Sequence, residues 1–419
     1  MMDIDRIPAP FKGPQVTRQL ARRHRADMRF RLYGLISIGL AFSFILLLMG
    51  TLIIKGWPAF IRTEITLPVT FNSTSTPQDQ ENYDRLLNQF IKKPLSEGSY
   101  DDKSLLPLLS AQSYQQLRIL LVEGSSLNKN VPFKASSEVD TWLKTRRLNV
   151  NKHALTSLTP PQLDALYALE KAGRLGFAFD HSFFTGGDSQ EPEIAGIYAA
   201  LIGSLMTLSV AIVFAFPVGL GAAIYLSEFA PRNKFFELLE ININNLAAIP
   251  TIIFGLLGLA FFLNILKIPR SASLAGGLTL GLVILPIIII SSKTALKTVP
   301  MTIRFGALAL GASQVQTLFH HVLPLSIPGI LTGTLLGIVR ALGESAPLLM
   351  LGMVAFIVDP PKSLLEPATV LPIQIFAWAK NPTAGFVENT SAATLVLLLF
   401  LLLLNSIIVL LRRRFERKW

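Results

Sequence analysis

Six long apolar stretches punctuate the chain, at residues 32–54, 195–226, 241–266, 271–292, 325–358 and 392–411. Each reaches the roughly 20 residues that carry a helix across the ~30 Å hydrocarbon core of a bilayer. Five of them contain no Asp, Glu, Lys or Arg; the fifth contains Arg340 and Glu344. The second and fifth are longer than a crossing needs, which predicts ends that overrun the bilayer or tilt within it. Pro217 and Pro250 predict kinks or breaks. The first stretch follows a 31-residue leader and runs straight into Lys55-Gly56-Trp57-Pro58, which has no small-residue cleavage site. It reads as a retained anchor rather than a signal peptide.

Between the first two stretches lies a region of mixed polarity, 55–194, large enough for a modest core of its own. Strand-like sequence at 63–76 precedes three expected helices, at 83–92, 104–122 and 160–171, the last with Thr159 as N-cap before Pro160. The region predicts a mostly α domain inserted between the spans. It carries no metal cluster and no nucleophile constellation, so it reads as a binding or docking module.

Composition agrees with the pattern. Hydrophobic residues make up 51% and charged residues 16%, against about 25% charged in an ordinary soluble chain. The formal net charge of +11 invites a nucleic-acid reading, but its location does not support one. Residues 1–31 carry eight Lys/Arg and three acids, and 412–419 carry five Lys/Arg and one acid, whereas 55–194 is nearly neutral. The excess therefore flanks the first and last spans, where the positive-inside rule places it. Six spans with basic ends predict both termini on the cytoplasmic side, 55–194 outside, membrane lipid as the surrounding partner and no nucleic acid.

Catalytic chemistry finds no support. The chain has no cysteine, no GxxxxGK[ST] phosphate loop and no HExxH, and His24, His153, His181, His320 and His321 are not spaced as a metal site. Neither a catalytic residue nor a metal ligand is expected. Instead, the stretch 293–324 joins two spans on the cytoplasmic side. Its part 307–322 reads as a short helix with apolar Leu308, Leu310, Val315, Leu318, Phe319 and Val322, stopped by Leu323-Pro324 and notched at Gly311. Such a helix is either a plug for a groove on a soluble partner or a buried connector.

Within the fifth span, Arg340 and Glu344 share a helix face at i, i+4, and lone charges at the bilayer centre cost about 2.5–3.5 kcal/mol each on insertion scales. They are expected to face protein or water, lining an anion path or locking two helices. Beside them Gly329, Gly333, Gly337, Ala341 and Ser345 form a small-residue stripe suited to close helix contact. Asn244, Asn245 and Asn264 offer a polar lining or interhelical hydrogen bonds. The stretch 369–379 predicts an interfacial helix with Trp378 near the headgroups.

The run Arg304-Phe305-Gly306-Ala307-Leu308-Ala309-Leu310-Gly311-Ala312, followed by Leu323-Pro324, resembles the coupling loop of ABC-importer permeases. Ala307, Gly311, Leu323 and Pro324 match that motif, whereas Phe305 stands where Glu is expected, Gly306 where Ala is frequent and His321 where Ile is expected. The stretches IYAALIGSLMTL, YLSEFAP, NLAAIPTIIFGLLGL, RALGESAPLL and LPIQIFAWAKNP narrow the resemblance to PstA-type permease subunits of bacterial phosphate importers, in a long form with an extra periplasmic domain.

The resemblance implies an all-α integral membrane protein with six transmembrane helices in a type I ABC-importer permease fold. Its parts would be a basic segment 1–31, a first span 32–54, a periplasmic domain 55–194, a permease core 195–411 with coupling loop 293–324, and a basic tail 412–419. It implies a non-catalytic subunit of a bacterial inner-membrane complex. The partners would be a second, PstC-like permease subunit, a PstB-like ATPase that hydrolyses ATP with Mg, and a PstS-like periplasmic phosphate-binding protein. This chain would itself bind no cofactor. Arg340 and Glu344 would belong to the substrate pathway, and Ala307, Gly311, Leu323 and Pro324 to ATPase coupling. Alternatives are a permease for another oxyanion (molybdate, sulfate or phosphonate) and a membrane sensor without transport.

Overall fold

A chain that crosses lipid must satisfy its backbone hydrogen bonds within its own helices, and long apolar helices dominate the structure. The computed structural model describes residues 14–70, 106–122, 128–149, 157–354 and 356–415. Contacts divide the chain into two units, Met1–Ile54 and Lys55–Trp419. The first is built on α1 (Pro14–Gly56), whose apolar side chains, Leu35 and Ile38 among them, are largely exposed, as lipid contact demands.

The second unit begins with β1 (Ile61–Thr70), then α2 (Ala111–Val122), β2 (Asn128–Lys134), α3 (Ser137–Leu148), α4 (Pro160–Lys171) and β3 (Leu175–Phe179). β1 is central and antiparallel to both neighbours, in the order β2-β1-β3. Along β1, Thr63, Ile65 and Leu67 are buried and the residues between them half-buried, the period-2 pattern of a strand covered on one face. Ile65, Leu67, Phe133, Leu143, Leu166 and Leu169 form the core of this region.

α4 occupies the span expected for it, and the Gln162 side chain accepts from the Thr159 N–H at 2.8 Å. α2 starts at Ala111, later than expected, after a single turn at Leu106–Leu108. The helix expected at 83–92 and the end of the strand expected over 63–76 lie outside the described residues. Helices supply more of the described residues here than strands do, yet a sheet organises them. β2 holds Pro132 opposite Thr66 of β1; proline is admissible there because β2 is an edge strand.

The membrane helices follow. α5 (Tyr198–Ile224) passes through Pro217 unbroken and continues as a widened π turn, Tyr225–Phe229. α6 (Lys234–Leu246) and α7 (Thr251–Gly258), which continues through the π segment Leu259–Ile265, meet at a bend of 100°. The apolar stretch 241–266 is therefore a broken pair and not one straight crossing. Pro250 lacks an N–H, and its ring disfavours helical backbone at Ile249. Next come α8 (Ser273–Lys297), α9 (Met301–Ala309), α10 (Leu323–Gly343), α11 (Leu371–Ala379) and α12 (Ala384–Phe415). Among the described residues, five helices are long and apolar enough to cross a membrane, or six if the bent pair is one span. The over-long stretch 325–358 resolves into α10 and a short helix, Ala346–Met350.

α8 is the hub of the bundle, and backbone proximity holds it there. A Cβ on Gly277 would lie 2.5 Å from Val210 of α5, and one on Gly333 of α10 would lie 1.9 Å from Ser291 Oγ of α8. Gly329 meets Ala295 of α8 in the same way, at 2.6 Å, and Gly337 lies at ordinary contact distance from Ile284. The small-residue stripe is thus a helix contact, except for Ser345, which falls beyond the end of α10.

Buried polar contacts fasten the inserted region to the bundle. Lys144 Nζ in α3 lies 2.5 Å from Asp140 and 3.0 Å from Glu388 Oε2 in α12, and Asn389 donates to the Pro192 carbonyl at 2.7 Å. Burial works against the Lys144 charge, but Asp140 and Glu388 outweigh it and raise its pKa. Trp378, expected at the headgroups, is instead buried with Phe183, Leu371 and Phe386, and its indole donates to Asp188 at 2.8 Å. A buried indole seeks an acceptor for its N–H, and the segment leading into α5 provides one.

Removing one member of a buried ion pair leaves a charge uncompensated, so Lys144→Met is expected to cost about 3–5 kcal/mol. The unfolding midpoint in detergent measures this, and a shift indistinguishable from zero would show that the bond fastens nothing. Glu193, beside the same junction, is pushed up to about 7, chiefly by burial, with Glu191 acting in the same direction. Between its ordinary value of 4.5 and about 7 the folded state holds a proton that the unfolded chain releases, so stability falls as pH rises through that window. Glu193→Gln should therefore raise the melting midpoint at about pH 8 and leave it nearly unchanged at about pH 4.5; equal shifts at both would refute the assignment.

Candidate functional site

The charged pair sits where three helix ends meet. α10 ends at Gly343, and Glu344 takes an extended backbone (φ −91°, ψ 109°), so the two charges do not share a helix face as the i, i+4 spacing suggested. The chain turns Glu344 back instead, leaving Glu344 Oε1 3.7 Å from Arg340 Nε. Glu344 Oε2 accepts from Thr251 Oγ1, the first residue of α7, at 2.9 Å. Arg340 thus occupies the electronegative last turn of α10, and Glu344 faces the electropositive first turn of α7. α7 can come this close because a Cβ on Gly255 would strike Pro347 at 2.7 Å. The Arg340 side chain keeps 38% exposure.

The asparagines do not join this cluster. Asn244 lines a cavity between α6 and α8 with Glu240, Lys293 and Thr294, whereas Asn245 and Asn264 are exposed. His320 and His321 are exposed too, and no group of metal-ligating side chains occurs among the described residues. The sequence reading overlooked Thr251; the signal was Pro250, whose break frees a helix start beside it.

The elbow between α8 and α10 also differs from expectation. Residues 307–322 are not one helix. α9 closes at Gly311, whose φ is +89°, with Ala312 N–H bonding back to the Ala307 carbonyl at 3.1 Å. A second start follows at once: Ser313 caps Gln314–Thr317, its hydroxyl accepting from the Gln316 N–H at 3.2 Å. That helix continues through the π segment Leu318–Val322 into α10, so Leu323-Pro324 begins a span and stops nothing. Proline is tolerated because the widened turn ahead of it gives its ring room against the carbonyls of the preceding turn. Gly311 leaves no notch either; a Cβ there meets nothing within 4 Å. Its role is conformational, since a left-handed φ strains any residue with a side chain.

The elbow has two faces. Met301, Phe305 and Leu308 are exposed along α9, and Leu310 at its tip is 91% exposed. Inward, Ala307 is buried, and Ile303 packs on a cluster of Leu296, Val299, Leu318 and Val322.

Residues 215–419 match the family model for the binding-protein-dependent transport system inner membrane component, and residues 17–151 match a domain of unknown function, DUF3333. The phosphate transport system permease protein PstA of Haemophilus influenzae is 31% identical over 205 residues, covering 49% of this chain and 71% of that protein. The chain belongs to the PstA family of transport permeases. PstA 1 of Mycobacterium tuberculosis (strain CDC 1551 / Oshkosh) is 33% identical over 47% of this chain, which spans 64% of the length of that relative. Among solved structures, a chain of the MetNI methionine ABC transporter is 21% identical, with a TM-score of 0.44, over 53% of this chain and 98% of that one. As a PstA-family member with these spans, the protein is a multi-pass inner-membrane protein with a helical permease core.

Because backbone conformation, not space, reserves position 311 of this PstA-family chain for glycine, Gly311→Ala should strain the elbow by about 1–2 kcal/mol. Hydrogen exchange of the Ala312 amide should accelerate about tenfold, and unchanged exchange would show that the turn is unstrained.

Proposed function

We propose that this chain is the transmembrane permease subunit of an ATP-driven phosphate importer, forming half of the translocation pathway. The observation that carries the reading is Arg340: a cationic side chain 38% exposed among helix ends, with a carboxylate at 3.7 Å. A planar fork of donors suits a tetrahedral oxyanion. Glu344 keeps the site from becoming a trap, because an anion in transit must leave as readily as it enters.

Its relatives are phosphate transport system permease proteins, which supports phosphate over molybdate, sulfate or phosphonate. In this reading the chain pairs with a PstC-like permease, a PstB-like ATPase and a PstS-like binding protein outside the cell. Both termini lie in the cytoplasm, as the basic ends favour. The apolar outer face of α9, with Leu310 at its tip, docks in a groove of the ATPase, and ATP with Mg is hydrolysed there and not on this chain. Ala307, Gly311, Leu323 and Pro324 shape the elbow. Ala307 and Gly311 close α9, and Leu323 and Pro324 join the elbow to α10.

Arg340→Gln should lower ATP-dependent phosphate uptake into liposomes by about 10- to 100-fold, the range for losing a charge-assisted hydrogen bond. Co-purification of the ATPase should persist. Undiminished uptake would make Arg340 a helix lock, and uptake competed equally by sulfate would assign another oxyanion.

A further inference from the structure

α8 and α10 are covalently continuous with the elbow, one entering it at Lys297 and the other leaving it at Leu323. Any push on α9 reaches them through the backbone. α5 has no such connection. Its inner end, the π turn Tyr225–Phe229, must be joined to the elbow by side chains.

One charged contact makes that join. Arg304, on the inner face of α9, pairs through Nη1 with Glu228 Oε2 in the π turn, and the two side chains are only 13% and 15% exposed. Nη2 of the same guanidinium donates to the Leu296 carbonyl at the end of α8, at 2.7 Å. Glu228 Oε1 accepts from Ser227 at 3.0 Å. Arg304 Nε has no partner among the described residues, so the cation depends on Glu228 for its compensation. Apolar packing of Ile224 beside Leu296 and Val322 also touches the elbow, but such contact is non-directional and can slide. A half-buried guanidinium that bonds the π turn through one nitrogen and α8 through another fixes both distance and direction.

We propose that the Arg304–Glu228 pair is the strap that transmits elbow movement to α5, making both side chains positioning residues for coupling hydrolysis to transport. The charge on this elbow faces inward, at Arg304. The adjoining Phe305, 64% exposed, presents an apolar surface outward. The proposal rests on the importer reading above.

The test is ATP hydrolysed per phosphate taken up, measured in liposomes holding the whole transporter. Glu228→Gln, nearly isosteric and uncharged, should raise that ratio about tenfold, and Glu228→Asp, which keeps the charge, should hold it within about threefold of wild type. A ratio unchanged in Glu228→Gln, or the same in both variants, would overturn the strap. A second readout does not depend on transport. The chain has no cysteine, so spin labels at Thr302→Cys in α9 and Val218→Cys in α5 report their separation in the assembled complex. The strap predicts one narrow distance distribution in the otherwise native chain, broadened by Glu228→Gln and narrow again in Glu228→Asp. Equal widths in all three would reject it. If the native complex moves no phosphate, the importer reading fails, and the label distances still decide the strap.

Discussion

The nearness of α8 to its two neighbours is the constraint on which the membrane region turns. Lipid tails are as apolar as leucine, so no hydrophobic gain draws helices together inside a bilayer. Association depends on how closely backbones approach, and Gly277, Gly281, Gly329 and Gly333 remove the side chains that would hold α5 and α10 away from α8. Once α8 is seated, both ends of the elbow that follows it are fixed. α9 hangs from its end, and the helix returning into α10 lands on the face that the small residues provide. The charged cluster at Arg340 lies at the far end of that same contact, so its geometry inherits the register of the helix pair.

Much of this was legible because bilayer physics leaves few options. Apolar length placed five of the six stretches correctly, and four-residue spacing of small side chains identified the α10 face that meets α8. The failures share a cause. The sequence shows which residues resist a helix but not where the chain goes afterwards. Pro250 announced a break and not its 100° bend. Gly311 looked like a surface notch because its backbone angle is invisible in a residue string. Leu323-Pro324 looked like a stop because a π turn ahead of a proline leaves no compositional trace. Arg340 and Glu344 were paired correctly for an incomplete reason, since Thr251 holds Glu344 only after two helix ends have been brought together from residues far apart in the chain.

The inserted region was read least well, and its physics explains that too. β2 is held by pairing to β1 and not by its own composition, so Pro132 argues against a strand that forms anyway. Lys144 and Glu388 are separated by 244 positions in sequence, and no local pattern links them. Trp378 has the composition of an interfacial anchor but is drawn inside by one carboxylate, Asp188. Partners this remote are where single-sequence reasoning ends.

The bond between Lys144 and Glu388 has a practical side. A globular body bolted by buried charges to the head of α12 cannot swing on a tether, so it turns as that helix turns. An antibody fragment or fluorophore clamped to its sheet becomes a rigid pointer. It would give electron microscopists a fiducial for a small, nearly featureless bundle and spectroscopists a needle that reads helix tilt.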